Sequence, residues 1–136
     1  MELHNLKILV VEDDKAMRKA MTETLSSEGF LVISAQDGVE GLETALRELP
    51  QLILLDISMP KLDGMAMMKR LRNSGDWGKK VPVILLTNLN ADDKIMAGIA
   101  EDEPSYFLLK SEWSPVGVVQ KIKETLGLIK PDSISV

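Results

Sequence analysis

Five short runs in this chain, "LKILVV", "FLVISA", "LILLD", "VPVILLT" and "YFLLK", are apolar at nearly every position rather than at every second one. A strand with one face in water alternates, because successive side chains point to opposite faces. A strand that is apolar throughout is covered on both faces, the condition of a parallel sheet with helices on either side. Between the runs, marker residues recur at helical spacing. Met17, Met21, Thr24 or Leu25, and Glu28 mark turns of a first helix that Gly29 stops. Val39, Leu42 and Leu46 form the stripe of a second helix ending at Pro50, and Met65, Met68 and Leu71 group on a third. A fourth, from about Ala91 to Ala100, carries Ile95, Met96 and Ile99. The fifth has Ser114 as N-cap and Pro115 at its first position, then Val119, Ile122 and Leu126, and ends at Gly127. Strands alternating with helices in this way predict an α/β fold, a doubly wound five-stranded parallel sheet with five helices.

A chain of 136 residues suits one domain, which on folding buries roughly 65–70% of the surface its unfolded form exposes. The pattern places that domain at about residues 6–127, followed by a short C-terminal tail, 128–136. With no cysteine, disulfides, thiolate metal sites and thiol catalysis are excluded. The start lacks a basic segment followed by a long apolar one, and no apolar run approaches the ~20 residues that span a bilayer. The expectation is a cytoplasmic protein with no membrane association. A net charge of −5 argues against nucleic acid as a direct ligand, and the basic clusters "KRLR" and "GKK" read as solvated surface. His4, the only histidine, sits by the terminus and reads as neither phosphodonor nor ligand.

Ligands of open α/β sheets bind outside the carboxyl ends of the strands, where strand order reverses. The first predicted strand ends in Glu12, Asp13 and Asp14, the third in Asp56, the fourth in Thr87 and Asn88, the fifth in Lys110. Singly these have plain explanations. Asp13 or Asp14 could cap the first helix, Asp56 could form an Asx-turn, and Asp63 with Gly64 reads as a turn and helix start. Thr87 could be an ordinary strand residue and Lys110 a solvated strand end. Together they are harder to dismiss. If strands one and three are neighbours, three carboxylates crowd one crevice, raising one another's pKa unless a cation intervenes. An all-oxygen site of this kind suits Mg²⁺, which commonly binds a phosphate as well. A lysine and a hydroxyl facing the same space supply what a phosphoryl group needs.

The segments "ILVVEDD", "LILLDISMPKLDG", "VPVILLTN" and "YFLLK" resemble the receiver domain of two-component response regulators, over about Leu6 to Gly127. The resemblance implies a flavodoxin-like strand order of 2-1-3-4-5. It places Asp56 at the phospho-acceptor position, taking a phosphoryl group from a histidine kinase or phosphotransfer protein. It implies Mg²⁺ held by Asp13, Asp56 and the backbone carbonyl of Ser58, with Glu12 acting through water. Thr87 matches the switch hydroxyl, Lys110 the lysine that pairs with the phosphoryl group, and Phe107 the switch-aromatic position. The surface of the fourth helix, fifth strand and fifth helix would then change for a downstream protein or for homodimer formation.

The chain departs from the family in several places. Ser111 follows Lys110 where proline is usual, and a trans link is expected because a cis bond before serine costs roughly 2.5–4 kcal/mol. Asn88 replaces a small residue beside Thr87, and "AEDEPS" replaces the usual loop before strand five. Phe107 lacks a hydroxyl, so it could switch only by packing, or be constant core. Trp113 reads either as an interface anchor or as a cover for the end of the fifth helix, and Trp77 in "GDWGKK" as loop packing. Two other functions compete with the phospho-accepting reading. A degenerate receiver acting as a phosphorylation-independent interaction module would have lost an acid, Asp56 or Lys110, and none is missing. A Mg²⁺-dependent phosphohydrolase would commonly carry a second aspartate two residues after Asp56, where Ser58 stands. The expectation is therefore no turnover of external substrates, only slow hydrolysis of the chain's own acyl phosphate, with Ser58 and Leu89 flanking the water's path.

Overall fold

The computed structural model describes residues 5–57, 64–87, 106–110 and 113–129, with the backbone alone described at Thr87 and Phe107. Five strands, β1 (Lys7–Val11), β2 (Leu31–Ala35), β3 (Leu52–Leu55), β4 (Val83–Thr87) and β5 (Tyr106–Leu109), form one sheet in the order β2-β1-β3-β4-β5. All four pairings are parallel, as the unbroken apolar runs predict. The chain turns back across the sheet at β1, which lies between β2 and β3. That switch point opens the crevice in which such sheets bind ligands.

The described helices are α1 (Lys15–Ser27), α2 (Gly38–Glu48), α3 (Gly64–Arg72), the short α4 (Asp76–Lys80) and α5 (Pro115–Thr125). The fourth predicted helix, about 91–100, lies outside the described residues, as does the "AEDEPS" loop. The segment "GDWGKK", expected to be loop, forms α4, and its Trp77 packs against the core. Strand residues divide between the two faces with period two. Leu9, Val11, Ile53, Leu55, Val83 and Leu85 meet Met67, Met68 and Leu71 of α3 on one side. Ile8, Val10, Leu52, Leu54, Ile84 and Leu86 meet Met21 and Leu25 of α1 and Val118, Val119 and Ile122 of α5 on the other. Each such leucine or isoleucine contributes about 1.5–3 kcal/mol by leaving water, so the β1 and β3 runs anchor the crevice firmly.

The caps read from sequence are present at two helices. Asp14 accepts a hydrogen bond from the Met17 N–H at 3.1 Å, and Ser114 from the Gly117 N–H at 3.1 Å. Gly29 and Gly127 have positive φ, which suits the residue following a helix. The stripe assigned to α2 needs correction. Val39 and Leu46 are each 44% exposed, and the buried face consists of Gly38, Gly41, Thr44 and Ala45. A Cβ on Gly41 would lie 2.9 Å from Val11 Cγ1 and 3.0 Å from Met67 Sδ, so the helix sits too close to the sheet for large side chains. Leu128 packs against the second core face just past α5. Among the described residues no helix is long and apolar enough to cross a membrane.

Candidate functional site

The last bonds of the β1 ladders set the site. The Glu12 N–H donates to the Ala35 carbonyl at 3.0 Å, and the Asp56 N–H to the Val11 carbonyl at 3.0 Å. Glu12 and Asp56 therefore leave neighbouring strands at the same height. Both are buried, each 4% exposed, while Asp13 is exposed beside them. Glu12, Asp13 and Asp56 each bring a carboxylate oxygen to within 4.8 Å of the others. The crowding expected from the sequence is thus real.

One cation enters this cluster. Lys110, the residue after β5, has a side chain only 9% exposed, and its Nζ lies 2.6 Å from Glu12 Oε1 and 3.2 Å from Asp56 Oδ2. Its pKa is raised. Burial opposes the charge, but the Glu12 hydrogen bond and the charges of both carboxylates outweigh it. Burial pushes the Glu12 carboxyl up to about 7, against the lowering effect of Lys110 and the Asp14 N–H, and its contact with Asp56 adds to the rise. Among the described residues three carboxylates gather around the Lys110 ammonium, an excess of negative charge that a proton or a further cation would offset. The donor set fits Mg²⁺: all oxygen, two acids fixed by buried strand ends and one open to water.

One residue not singled out by sequence reasoning helps to shape the site. Arg18, early in α1, donates through Nη1 to the Glu12 carbonyl at 2.9 Å and the Asp13 carbonyl at 3.4 Å, fixing the loop that carries both acids. Nothing in its spacing distinguishes it from a solvated helix arginine. The N–H of Asp14 donates to Glu12 Oε2 at 3.2 Å. Gly64, read as a turn and helix start, does start α3, and it also presses on the acceptor: a Cβ there would run into the Asp56 carbonyl oxygen and the Ile57 Cα.

The other predicted site residues are placed unevenly. Thr87 ends β4, paired with Leu109, so its backbone lies at the same edge of the sheet as Lys110. Phe107 lies in β5, paired with Leu85. Ser58, Asn88, Leu89 and Ser111 lie outside the described residues. Trp113 covers the start of α5, with its ring 3.1 Å from where a Gly117 Cβ would stand, and it packs on the second core face. Of the two readings offered for Trp113, this contact matches the cover.

The model of the response regulator receiver domain family matches residues 8–123. The response regulator MprA of Mycobacterium leprae is 34% identical over 127 residues, covering 93% of this chain and 54% of that protein. MprA of Mycobacterium sp. strain KMS is 37% identical over 127 residues, covering 93% and 53%. The chain thus spans about half the length of the curated relatives it matches. Among solved structures, the chemotaxis protein CheY4 of Vibrio cholerae superposes with a TM-score of 0.79 at 25% identity, over 88% of this chain and 97% of that one. The BeF3-activated receiver domain of RstA from Klebsiella pneumoniae gives 0.77 at 30% identity, over 88% and 97%.

Proposed function

This chain belongs to the response regulator receiver domain family of two-component signalling, and from that premise we propose that it accepts a phosphoryl group on the Asp56 carboxylate. The observation that carries the reading is Asp56 itself: a 4%-exposed carboxylate at a strand end, in contact with a partly buried lysine and within 4.8 Å of two further acids. In the proposed step a carboxylate oxygen of Asp56 attacks the phosphorus of a phosphohistidine on a kinase or phosphotransfer protein. An O–P bond forms as the N–P bond breaks, and the imidazole nitrogen leaves with the electron pair and takes up a proton from solvent. The product is an acyl phosphate.

Asp13, Asp56 and the Ser58 carbonyl, with Glu12 through water, are the groups that would hold Mg²⁺, whose role when bound is to neutralise charge on the phosphoryl oxygens. The Lys110 ammonium, now shared between Glu12 and Asp56, would turn to the new phosphoryl oxygens. Phosphorylation adds about −1.5 to −2 of charge, and the Thr87 hydroxyl would follow it. That motion, with repacking at Phe107, would shift the population of states at the face made by the segment 91–100, β5 and α5. A downstream protein, or a second copy of the chain, would read that face. The setting is cytoplasmic, without direct nucleic-acid or membrane binding. The chain turns over no external substrate and hydrolyses only its own acyl phosphate, slowly. The three acids and the lysine are all in place, which favours this reading over a phosphorylation-independent module.

Incubation with acetyl phosphate and Mg²⁺ followed by intact-mass measurement tests the proposal. A single phosphoryl adduct, absent from Asp56→Asn, is the expected result. No adduct, under conditions that modify a known receiver, would overturn it.

A further inference from the structure

Lys110 and Trp113 stand at the junction of β5 and α5, and both line one cavity of about 20 Å³. Its walls also include Met17 and Met21 of α1, Leu86 of β4 and Val118 of α5. These apolar neighbours suit the carbon stem of Lys110, which faces them while its ammonium reaches Glu12 at 2.6 Å and Asp56 at 3.2 Å. The lysine side chain is only 9% exposed, so the wall limits where the ammonium can point. Because the indole shares a boundary with that stem in a close-packed interior, a shift of either changes the packing of the other.

The indole is also fixed to α5. A Cβ on Gly117, in the first turn, would lie 3.1 Å from Trp113 Cε3 and 3.6 Å from Cζ3, so the ring rests on the helix where a side chain would press on it. One turn further on, the Lys121 Nζ stands 5.8 Å from the centre of the Trp113 ring and 4.6 Å from that of Tyr106 in β5. Such an ammonium is attracted to the face of an aromatic ring, and Glu124 pairs with it at 3.5 Å. We infer that Trp113 is a positioning residue for Lys110, holding the stem so that the ammonium stays on Glu12 and Asp56, and that the same ring passes a turn of Lys110 toward a phosphoryl group to the first turn of α5. The inference rests on Asp56 being the phosphoryl acceptor. It gives α5 a link to the acid site that runs apart from Thr87 and Phe107.

Beryllium fluoride with Mg²⁺, a mimic of a phosphoryl group on a carboxylate, is titrated into the full chain by calorimetry. In parallel it is titrated into Trp77→Phe, where Trp113 is the sole tryptophan, and the emission is followed. The emission is expected to change with the same midpoint as the heat. Trp113→Ala is expected to shift the affinity by about two-fold or more, and Trp113→Phe to restore most of it. Gly117→Ala adds one methyl beneath the ring and favours the helix, so it is expected to shift the affinity likewise without lowering Tm. That shift is expected to vanish when Gly117→Ala is combined with Trp113→Ala, because the methyl acts only through the ring. Gly117→Ala carries the test by itself if Trp113→Ala fails to fold. Heat of binding with unchanged Trp113 emission, or equal affinities in the parent and Gly117→Ala, would overturn the inference and leave Asp56 as the acceptor. So would a Gly117→Ala shift that persists without the ring. No heat in the parent chain would also overturn it, and the intact-mass test above then decides whether the acceptor reading falls with it.

Discussion

The Lys110 ammonium sits 2.6 Å from Glu12 Oε1, closer than its 3.2 Å approach to Asp56 Oδ2. Lys110 is thus held foremost by an acid that is not the proposed acceptor. In the phosphorylation proposed above, Lys110 would turn from Glu12 toward the new phosphoryl group.

Removal of that cation is expected to cost stability in a pH-dependent way. Lys110→Met leaves Glu12 and Asp56 buried together, and stranding one side of a buried pair typically costs about 3–5 kcal/mol. At pH 5.5 Glu12 keeps its proton and the loss is smaller than at pH 8, above the value of about 7 to which its carboxyl is raised. Urea denaturation at the two pH values measures this. An equal loss at both would show that Lys110 does not neutralise the pair.

The Glu12 carboxyl is raised from 4.5 to about 7, chiefly by burial, so its linkage runs opposite to that of a salt-bridged acid. Between those values the folded chain holds a proton that the unfolded chain has released, and stability falls as pH rises. The contribution is fully present below about 4.5 and is lost by the time pH passes 7. The Tm difference between the wild type and Glu12→Gln is therefore expected to move against the wild type from pH 5 to pH 7.5. Added Mg²⁺ is expected to reverse the trend, binding more tightly at the higher pH and releasing a proton as it does so. A difference that is flat across this range would mean that Glu12 titrates normally.

Gly64→Ala is expected to destabilise the fold by about 1–3 kcal/mol, because the new methyl must push α3 off the Asp56 and Ile57 backbone. Phosphorylation of Asp56 by acetyl phosphate is expected to slow in parallel. A change within about 0.5 kcal/mol, the range of ordinary surface substitutions, would mean that the contact relaxes freely.

Arg18→Ala is expected to weaken Mg²⁺ binding by about ten-fold, the lower end of what outer-shell partners contribute, with partial recovery in Arg18→Lys. Isothermal titration of the unphosphorylated chain gives the answer directly. Equal affinities in all three proteins would make the Glu12 and Asp13 carbonyl contacts incidental.

Much of the fold was legible because its central strands are buried on both faces, whereas the edge strand β2 is partly open, with Leu31 exposed. The β1, β3 and β4 runs carry their apolarity without alternation, and acids stop the first two abruptly, at Glu12 and Asp56. Less was legible where closeness, not hydrophobicity, decides burial. At α2 the helix packs through Gly41 and Ala45 with Leu42 partly buried against the core, so Val39 and Leu46 are left outside and the apolar stripe only partly marks the buried face. The helix α4 has five residues, too few for a periodic signal, and is held by Arg72 from a neighbouring helix. In the site the residue types and their strand ends could be read. The preference of Lys110 for Glu12 and the grip of Arg18 on two carbonyls depend on distances no spacing encodes.

The most direct test of Asp56 as acceptor is reductive trapping. The chain is phosphorylated with acetyl phosphate and Mg²⁺, treated with borohydride, which reduces an acyl phosphate to the alcohol, and mapped by tandem mass spectrometry. Homoserine at position 56 alone is the expected result. Reduction at Asp13, or an unmodified peptide from a sample whose intact mass shows the adduct, would contradict the assignment of Asp56.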